Sequence, residues 1–144
     1  MTDIYLTKTF QAFAAGERIR DAAIIKAARE MQNQLYDANL GGCVYKKRIA
    51  RPGGGKRNGY RVLIAFCDEN RLFFMRGFAK NERENITADE LQGLKHLAAL
   101  YLDYSPFRLY QLVNSKTLRK LSDEQDPCRD PSGSSGAASG GIRR

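Results

Sequence analysis

The stretch 59-GYRVLIAFCDENRLFFMRGFAK-80 decides the fold. Residues 62–66 are all apolar, a short polar segment follows at 68–70, and a second largely apolar run comes after it. A short run that is apolar on both faces is typical of a buried central strand, and Asp, Glu and Asn between two such runs indicate a turn. We therefore predict a β-hairpin of strands 60–67 and 72–80 in the middle of a sheet.

The segments around this hairpin predict two more strands and a set of helices. Apolar residues that recur at spacings of three and four indicate helices before the hairpin, and Thr87 followed by Glu90 has the spacing of a capping box. The predicted strands are 3–6 and 43–50, and the predicted helical segments are 8–15, 19–35, 88–103 and a short piece from Ser105 to about Leu121. The fold class is therefore α+β: an antiparallel sheet of about four strands, with two N-terminal helices on one face and a C-terminal helix.

The composition changes abruptly after Leu121. Residues 122–144 are rich in Asp, Pro, Gly and Ser, which cannot bury enough apolar surface to offset the entropy of ordering. We predict one folded domain over 1–121 and a disordered tail over 122–144.

Positive charge is concentrated just before the hairpin. Residues 46–61 hold seven Lys or Arg side chains and three consecutive glycines, no acid occurs between 38 and 67, and the whole chain carries a formal charge of +8. Such a run of positive charge interacts with water, with acidic residues of a partner, or with phosphate. We favour phosphate as the ligand. A solvated surface is the alternative.

The spacing of the cysteines argues against a metal site, and the distribution of apolar residues argues against a membrane protein. Cys43, Cys67 and Cys128 are odd in number and lack the spacing of a zinc site or a disulfide framework. The sequence shows no leader and no apolar run of the roughly 18 residues needed to span a membrane. We expect a cytoplasmic protein with reduced thiols, no metal and no cofactor.

Three motifs in order carry a family resemblance. KKRIAR at 46–51, GGGKRNGYR at 53–61 and GFAKNERENITADEL at 77–91 resemble the RelE/HigB-type toxins of bacterial toxin–antitoxin modules. The resemblance implies a RelE-like fold and an endoribonuclease that cuts messenger RNA on the translating ribosome, so that translation stops. It also implies a HigA- or RelB-like antitoxin as partner, and a toxin–antitoxin complex that binds operator DNA.

The resemblance further implies a site made of lysines, arginines and an aromatic residue, with a cyclic phosphate product. RNA cleavage needs a base for the ribose 2′-hydroxyl, positive charge for the phosphorane and an acid for the leaving oxygen. His96 is the only histidine and falls inside a predicted helix, which disfavours a histidine-centred nuclease.

Whether the cations converge depends on the register of the hairpin. If an even-numbered turn places Cys67 opposite Leu72, then Arg61 lies opposite Phe78. Arg61 would then share a face with Arg76 and Lys80, whereas a three-residue turn would send Arg61 to the other side. We predict the even register, with Arg76 on the face of Leu72, Phe74 and Phe78. The opposite, helix-covered face would hold Val62, Ile64, Phe66, Phe73 and Met75.

The candidate residues take different roles. Arg61 and Arg76 would hold the scissile phosphate; Lys80 and Lys56 are candidates for base or acid, with Glu82 a further possibility. The expected contacts to the RNA backbone are Lys46, Lys47, Arg48, Arg51 and Arg57. Tyr60 and Phe78 could stack on a base, or simply pack in the core.

Two other functional classes stay open at this point. A ParE-like relative would inhibit DNA gyrase without enzymatic activity and would not need the converging cations. A plain nucleic-acid-binding module would hold phosphate without cutting it. RNA cleavage is the property that separates the three.

Overall fold

The computed structural model describes residues 2–51, 55–67, 71–79 and 86–121, with only the backbone for 55–58. The predicted tail, 122–144, lies outside these residues. The elements in chain order are β1 (Asp3–Thr7), α1 (Lys8–Glu17), α2 (Asp21–Gln32), β2 (Ala38–Gly41), β3 (Val44–Arg51), β4 (Gly55–Phe66), β5 (Arg71–Ala79), α3 (Ala88–Asp103), α4 (Pro106–Asn114) and β6 (Leu118–Leu121). Within the described ranges, no helix combines the length and apolar character that crossing a membrane requires.

The strands form one sheet in the order β2-β3-β4-β5-β1-β6. The α+β class and the central β4–β5 hairpin are confirmed. The sheet has six strands rather than about four, and it is mixed rather than antiparallel because β1 runs parallel to β5.

Two short strands, β2 and β6, were not predicted. β2 depends on an unusual backbone conformation, and β6 depends on pairing with a strand that is distant in sequence. β2 arises where the sequence indicated only a helix end, because Gly41, Gly42 and Cys43 all adopt positive φ and turn the chain tightly into β3. β6 arises at the end of the segment expected to be helical. Its buried Leu118 and Leu121 have a three-residue spacing that suits a helix as well, and only the pairing with β1 makes the segment a strand.

Helices cover both faces of the sheet. α1 and α2 pack on one face through a cluster that includes Phe10, Ile24 and Ile25, which confirms the two N-terminal helices on one side. α3 and α4 pack on the other face through Leu94, Ala98 and residues near them. Helix 88–103 is confirmed, and both hydrogen bonds of its capping box are present.

An aromatic stack fastens α3 to the sheet. The Phe73 ring lies between the rings of Tyr5 and Tyr101, with centroid distances of 5.0 and 5.2 Å. Burial raises the pKa of both tyrosine hydroxyls, because the stack removes water that would solvate the phenolate. Through Tyr101 the stack joins α3 to β5, and through Tyr5 it extends to β1.

A β-bulge in β5 decides which side chains share a face. Near the turn Phe66 pairs with Leu72, so the predicted pairing of Cys67 with Leu72 is wrong. Farther along, the register shifts by one residue, and the predicted pairing of Arg61 with Phe78 is confirmed. The extra residue in β5 is Met75.

The bulge reverses the alternation of side chains along β5. Leu72 and Phe74 face α1 and α2, whereas Phe73 and Met75 face α3 and α4. The grouping of Phe73 and Met75 with Val62, Ile64 and Phe66 is therefore wrong, and so is the grouping of Arg76 with Leu72 and Phe74. Because of the bulge, Arg76 follows Met75 on the same face and joins Phe78 there.

Two residues on the α1 side accommodate the bulge. The Thr7 hydroxyl lies 3.2 Å from the Phe74 carbonyl oxygen and 3.0 Å from that of Met75, to which it donates, and it accepts from the Phe10 amide as the cap of α1. Gly77 lets Phe13 of α1 lie against the strand, since a Cβ there would come within 2.4 Å of the ring. One hydroxyl thus connects the start of α1 to the bulge.

Candidate active site

Cationic side chains from three strands meet on the face of the sheet that α3 partly covers. One cross-strand row is Lys46, Leu63 and Arg76, and the next row is Arg48, Arg61 and Phe78. Cross-strand partners share a face and lie about 5 Å apart, and rows on one face are about 7 Å apart. The two rows therefore bring four cations together beside Leu63, within a patch roughly 10 Å across. These are Lys46, Arg48, Arg61 and Arg76. We call these four residues the cationic patch.

Arg61 is the most buried member of the cationic patch. Its residue surface is 3% exposed, and its Nη1 donates to the Gly59 carbonyl oxygen at 3.4 Å. Within the described residues no carboxylate forms an ion pair with it. A buried guanidinium is costly unless it is paired, so this position suits an anion that arrives with a ligand.

Gly59 makes the approach of β3 to β4 possible beside Arg61. A Cβ at this position would lie 2.1 Å from the Ile49 carbonyl oxygen, which belongs to the backbone and cannot move aside. Gly59 therefore permits a close approach of the two backbones beside the row that contains Arg48 and Arg61.

Arg48 faces Arg61 directly across the two strands. Like charges in this position repel one another. Asp37 partly compensates, because its carboxylate accepts from the Arg48 backbone amide at 2.7 Å and lies 3.7 Å from Nε. Nε itself is buried without a hydrogen-bond partner in the described part of the chain. The pair of guanidinium groups thus keeps unused capacity for an anion.

Arg76 lies at the edge of the cationic patch, beneath the start of α3. Its Nη2 is 3.1 Å from Oε2 of Glu90, and about a third of its side chain is exposed. Phe78 is buried in the same row as Arg61, so its ring packs in the core on the side of the cationic patch. Arg61, Arg76, Arg48, Lys46 and Phe78 are therefore brought together.

Four predicted site residues cannot be placed by their side chains. Lys56 and Arg57 belong to β4, where only the backbone is described, and Lys80 and Glu82 lie outside the described residues. Their assignment as base, acid or RNA contact stays a prediction. In the described ranges, no group of three or more His, Cys, Asp or Glu side chains is placed to hold a metal ion.

The chain matches a known protein family. A family model described as the RelE toxin of the RelE / RelB toxin–antitoxin system matches residues 2–121. The chain belongs to the RelE toxin family. It is therefore the toxin of a toxin–antitoxin module, with an antitoxin as its partner.

Lys47 of this RelE toxin lies on the opposite face of the sheet from the cationic patch. Its side chain is buried under α2, where Nζ is 2.7 Å from a Glu30 carboxylate oxygen and donates to the Leu35 carbonyl oxygen at 2.6 Å. These bonds occupy the ammonium group within the core. In this structure the Lys47 side chain packs under α2 and does not belong to the cationic patch.

Arg51 and Tyr60 also lie on the α1 and α2 face of the toxin. The Tyr60 ring is 3% exposed and meets Phe13 edge-on at 5.6 Å. The Arg51 guanidinium lies 5.1 Å from the centre of the Tyr60 ring and 3.9 Å from Glu17. Tyr60 is therefore not exposed for stacking on a base, and Arg51 is separated from the cationic patch by the sheet.

Sequence reasoning missed three residues that shape this site. From the sequence, Glu90 was named only as half of a capping box, and Asp37 and Thr7 were not named. Each acts on a residue far away in sequence: Glu90 on Arg76, Asp37 on Arg48, and Thr7 on the bulge. The capping box was the one local signal, because its spacing placed Glu90 in the first turn of a helix.

Proposed function

We propose that this toxin is a metal-independent endoribonuclease that cuts messenger RNA on the ribosome and thereby stops translation. The cationic patch carries the proposal: Arg48, Arg61 and Arg76 converge on one face, and Arg61 is buried without a carboxylate partner in the described residues. A binding surface alone does not need a buried, uncompensated guanidinium, whereas a charged transition state benefits from one.

The reaction is an attack of the ribose 2′-oxygen on the neighbouring phosphorus. A bond forms between the 2′-oxygen and phosphorus, and the bond from phosphorus to the 5′-oxygen of the next nucleotide breaks. The 2′-hydroxyl proton passes to a base, and an acid protonates the leaving 5′-oxygen. The products are a 2′,3′-cyclic phosphate and a 5′-hydroxyl end.

The cationic patch can stabilise the phosphorane of this reaction. Arg61 and Arg76 offer planar donor groups from adjacent rows, and arginine binds phosphate oxygens in two-pronged fashion. Arg48 adds a third guanidinium directly across from Arg61. Lys46 and Arg57 extend the charge toward the RNA backbone, and Lys56, Lys80 and Glu82 are the proposed proton carriers.

The cationic patch is also the surface on which we propose that the antitoxin acts. A cationic site that degrades messages has to be held inactive, so we propose that the antitoxin supplies acids to the cationic patch or covers it together with α3. We further propose that the antitoxin carries a helix-turn-helix and that the pair binds operator DNA.

The test is induced expression of the wild-type toxin, Arg61→Ala, Arg76→Ala and the double variant in bacteria. Growth is followed, and message 5′ ends are mapped by primer extension with and without a block of translation. The wild-type toxin should arrest growth and generate new 5′-hydroxyl ends that disappear when translation is blocked. Both single variants should lose most of this cleavage, and the double variant all of it.

Arg20→Ala is the matched control, because Arg20 is exposed at the start of α2 and its removal deletes the same charge. Circular dichroism and thermal unfolding establish that each variant is folded. A double variant that is still toxic and still cuts messages would reject the site. Growth arrest with intact messages and inhibited DNA supercoiling would instead establish a gyrase inhibitor.

A further inference from the structure

Glu90 is fixed at both carboxylate oxygens between a helix start and the cationic patch. Oε1 accepts from the Thr87 backbone amide at 2.9 Å, which is one half of the capping box, and Oε2 lies 3.1 Å from Nη2 of Arg76. The Thr87 hydroxyl accepts from the Glu90 amide at 3.1 Å and completes the box. The carboxylate therefore has little freedom to rotate.

This geometry restrains the Arg76 side chain at one edge of its guanidinium. A guanidinium carries five N–H donors, so one edge can be held by a carboxylate while other donors stay directed at a ligand. Arg76 is long and partly exposed, and without a fixed anchor it would sample many rotamers. Groups that act on a transition state need such support from a surrounding layer.

The bulge and the capping box act together on Arg76. The bulge at Met75 turns Arg76 onto the α3 face, and Glu90 then holds it at the helix start. The aromatic stack of Tyr5, Phe73 and Tyr101 holds α3 on the sheet. The position of α3 therefore determines where Glu90 holds the Arg76 guanidinium.

We propose that Glu90 is a positioning residue for the cleavage reaction, acting through Arg76 rather than by touching RNA. This inference rests on the proposed function. It predicts different effects on cleavage and on binding. Loss of the Glu90 charge lowers the rate at which bound RNA is cut, but it does not weaken RNA binding, since a positive side chain beside the phosphate is retained.

Glu90→Gln tests whether cleavage and binding respond differently. Gln at this position can still accept from the Thr87 amide, but it lacks the charge that pairs with Arg76. Single-turnover cleavage is measured on a messenger RNA bound to the ribosome, with a mapped cleavage site at the position where translating messages are cut. Binding is measured on the same RNA with a 2′-deoxy sugar there, which removes the nucleophile. We expect cleavage to fall about tenfold, which corresponds to about 1.4 kcal/mol in the barrier. Binding of the deoxy RNA should be as tight as to wild type, or tighter.

Ser105→Ala is the matched control, since it removes the capping hydroxyl of the neighbouring helix α4 but leaves the capping box of α3 and the Glu90 contact with Arg76 intact. It should lower the melting temperature and leave cleavage by the folded toxin near the wild-type rate. A second check is the Arg76→Lys background, in which Glu90→Gln should have a smaller effect on cleavage, because the two residues act as one unit.

Three outcomes would overturn the inference while the proposed function stands. These are an unchanged cleavage rate in Glu90→Gln, an equal loss in Ser105→Ala, or a loss confined to RNA binding. If wild-type toxin cuts no RNA and Arg61→Ala is indistinguishable from it, the proposed function fails and this inference fails with it.

Discussion

Lys47 and Arg61 are buried to the same extent and lie on opposite faces of the sheet, each with 3% of its surface exposed. Under α2, Lys47 has a carboxylate at 2.7 Å and a carbonyl acceptor at 2.6 Å. On the α3 face, Arg61 has one carbonyl acceptor at 3.4 Å and, in the described ranges, no ion pair. Within the described residues, the fold gives Lys47 an ionic partner and gives Arg61 none, and we expect the first charge to serve the structure and the second to serve the reaction.

The largest expected loss of stability comes from breaking the compensated cation. Glu30→Ala removes the carboxylate partner and leaves the Lys47 ammonium buried. Removing one member of a buried pair costs about 3 kcal/mol or more, and we expect a loss near that value because Glu30 is about one-fifth exposed. Urea unfolding measures the change. A loss below about 1 kcal/mol would show that the pair contributes no more than a surface ion pair.

A smaller loss is expected at Thr7, which hydrogen-bonds at the bulge that places Arg76 on the same face as Arg61. Thr7→Val removes a hydroxyl that caps α1 and hydrogen-bonds at the bulge. Loss of a cap costs about 1 kcal/mol, and the bulge carbonyls lose their donor as well, so we expect about 1–2 kcal/mol.

Thr7→Ser is the control for this prediction, because it retains the hydroxyl and should stay within about 0.5 kcal/mol of wild type. Urea unfolding again provides the measurement, and message cleavage provides a second one. Since the bulge determines the direction of Arg76, Thr7→Val should cut RNA more slowly than Thr7→Ser. Equal cleavage by the two variants would show that the Thr7 hydroxyl does not affect the site.

The smallest effect on stability is expected at the uncompensated cation. Arg61→Met keeps much of the length and apolar volume of the side chain and removes a buried charge that no carboxylate of the described chain neutralises. We expect the free energy of unfolding to change by less than about 0.5 kcal/mol, or to rise, since replacing a poorly compensated buried charge is often neutral. Toxicity should nevertheless be lost. A large loss of stability would mean that Arg61 supports the fold rather than the reaction.

Much of the fold could be predicted because its signals are local. The apolar runs of β4 and β5, the stripe of α2 and the capping box of α3 each depend on a few neighbouring residues. β2 and β6 could not be predicted in the same way, since β6 becomes a strand only by pairing with Ile4 to Thr7, more than a hundred residues earlier in the chain.

The candidate site was predicted only in part, and the pairing of strands explains why. The sequence indicated that Arg61 and Arg76 could share a face, and they do, but through a bulge rather than through an even-numbered turn. The same alternation that places Lys46 and Arg48 on the α3 face sends Lys47 and Arg51 to the other one. A run of cations in sequence is therefore divided in two by the sheet.

The sequence by itself determined that this chain is basic, that a buried hairpin forms its centre, and that a helix begins at Thr87, because composition, apolar runs and capping act over a few residues. Only the tertiary structure decided which cations meet. One extra residue in β5 reverses every side chain beyond it, and whether a cation is compensated depends on carboxylates that folding brings from distant helices.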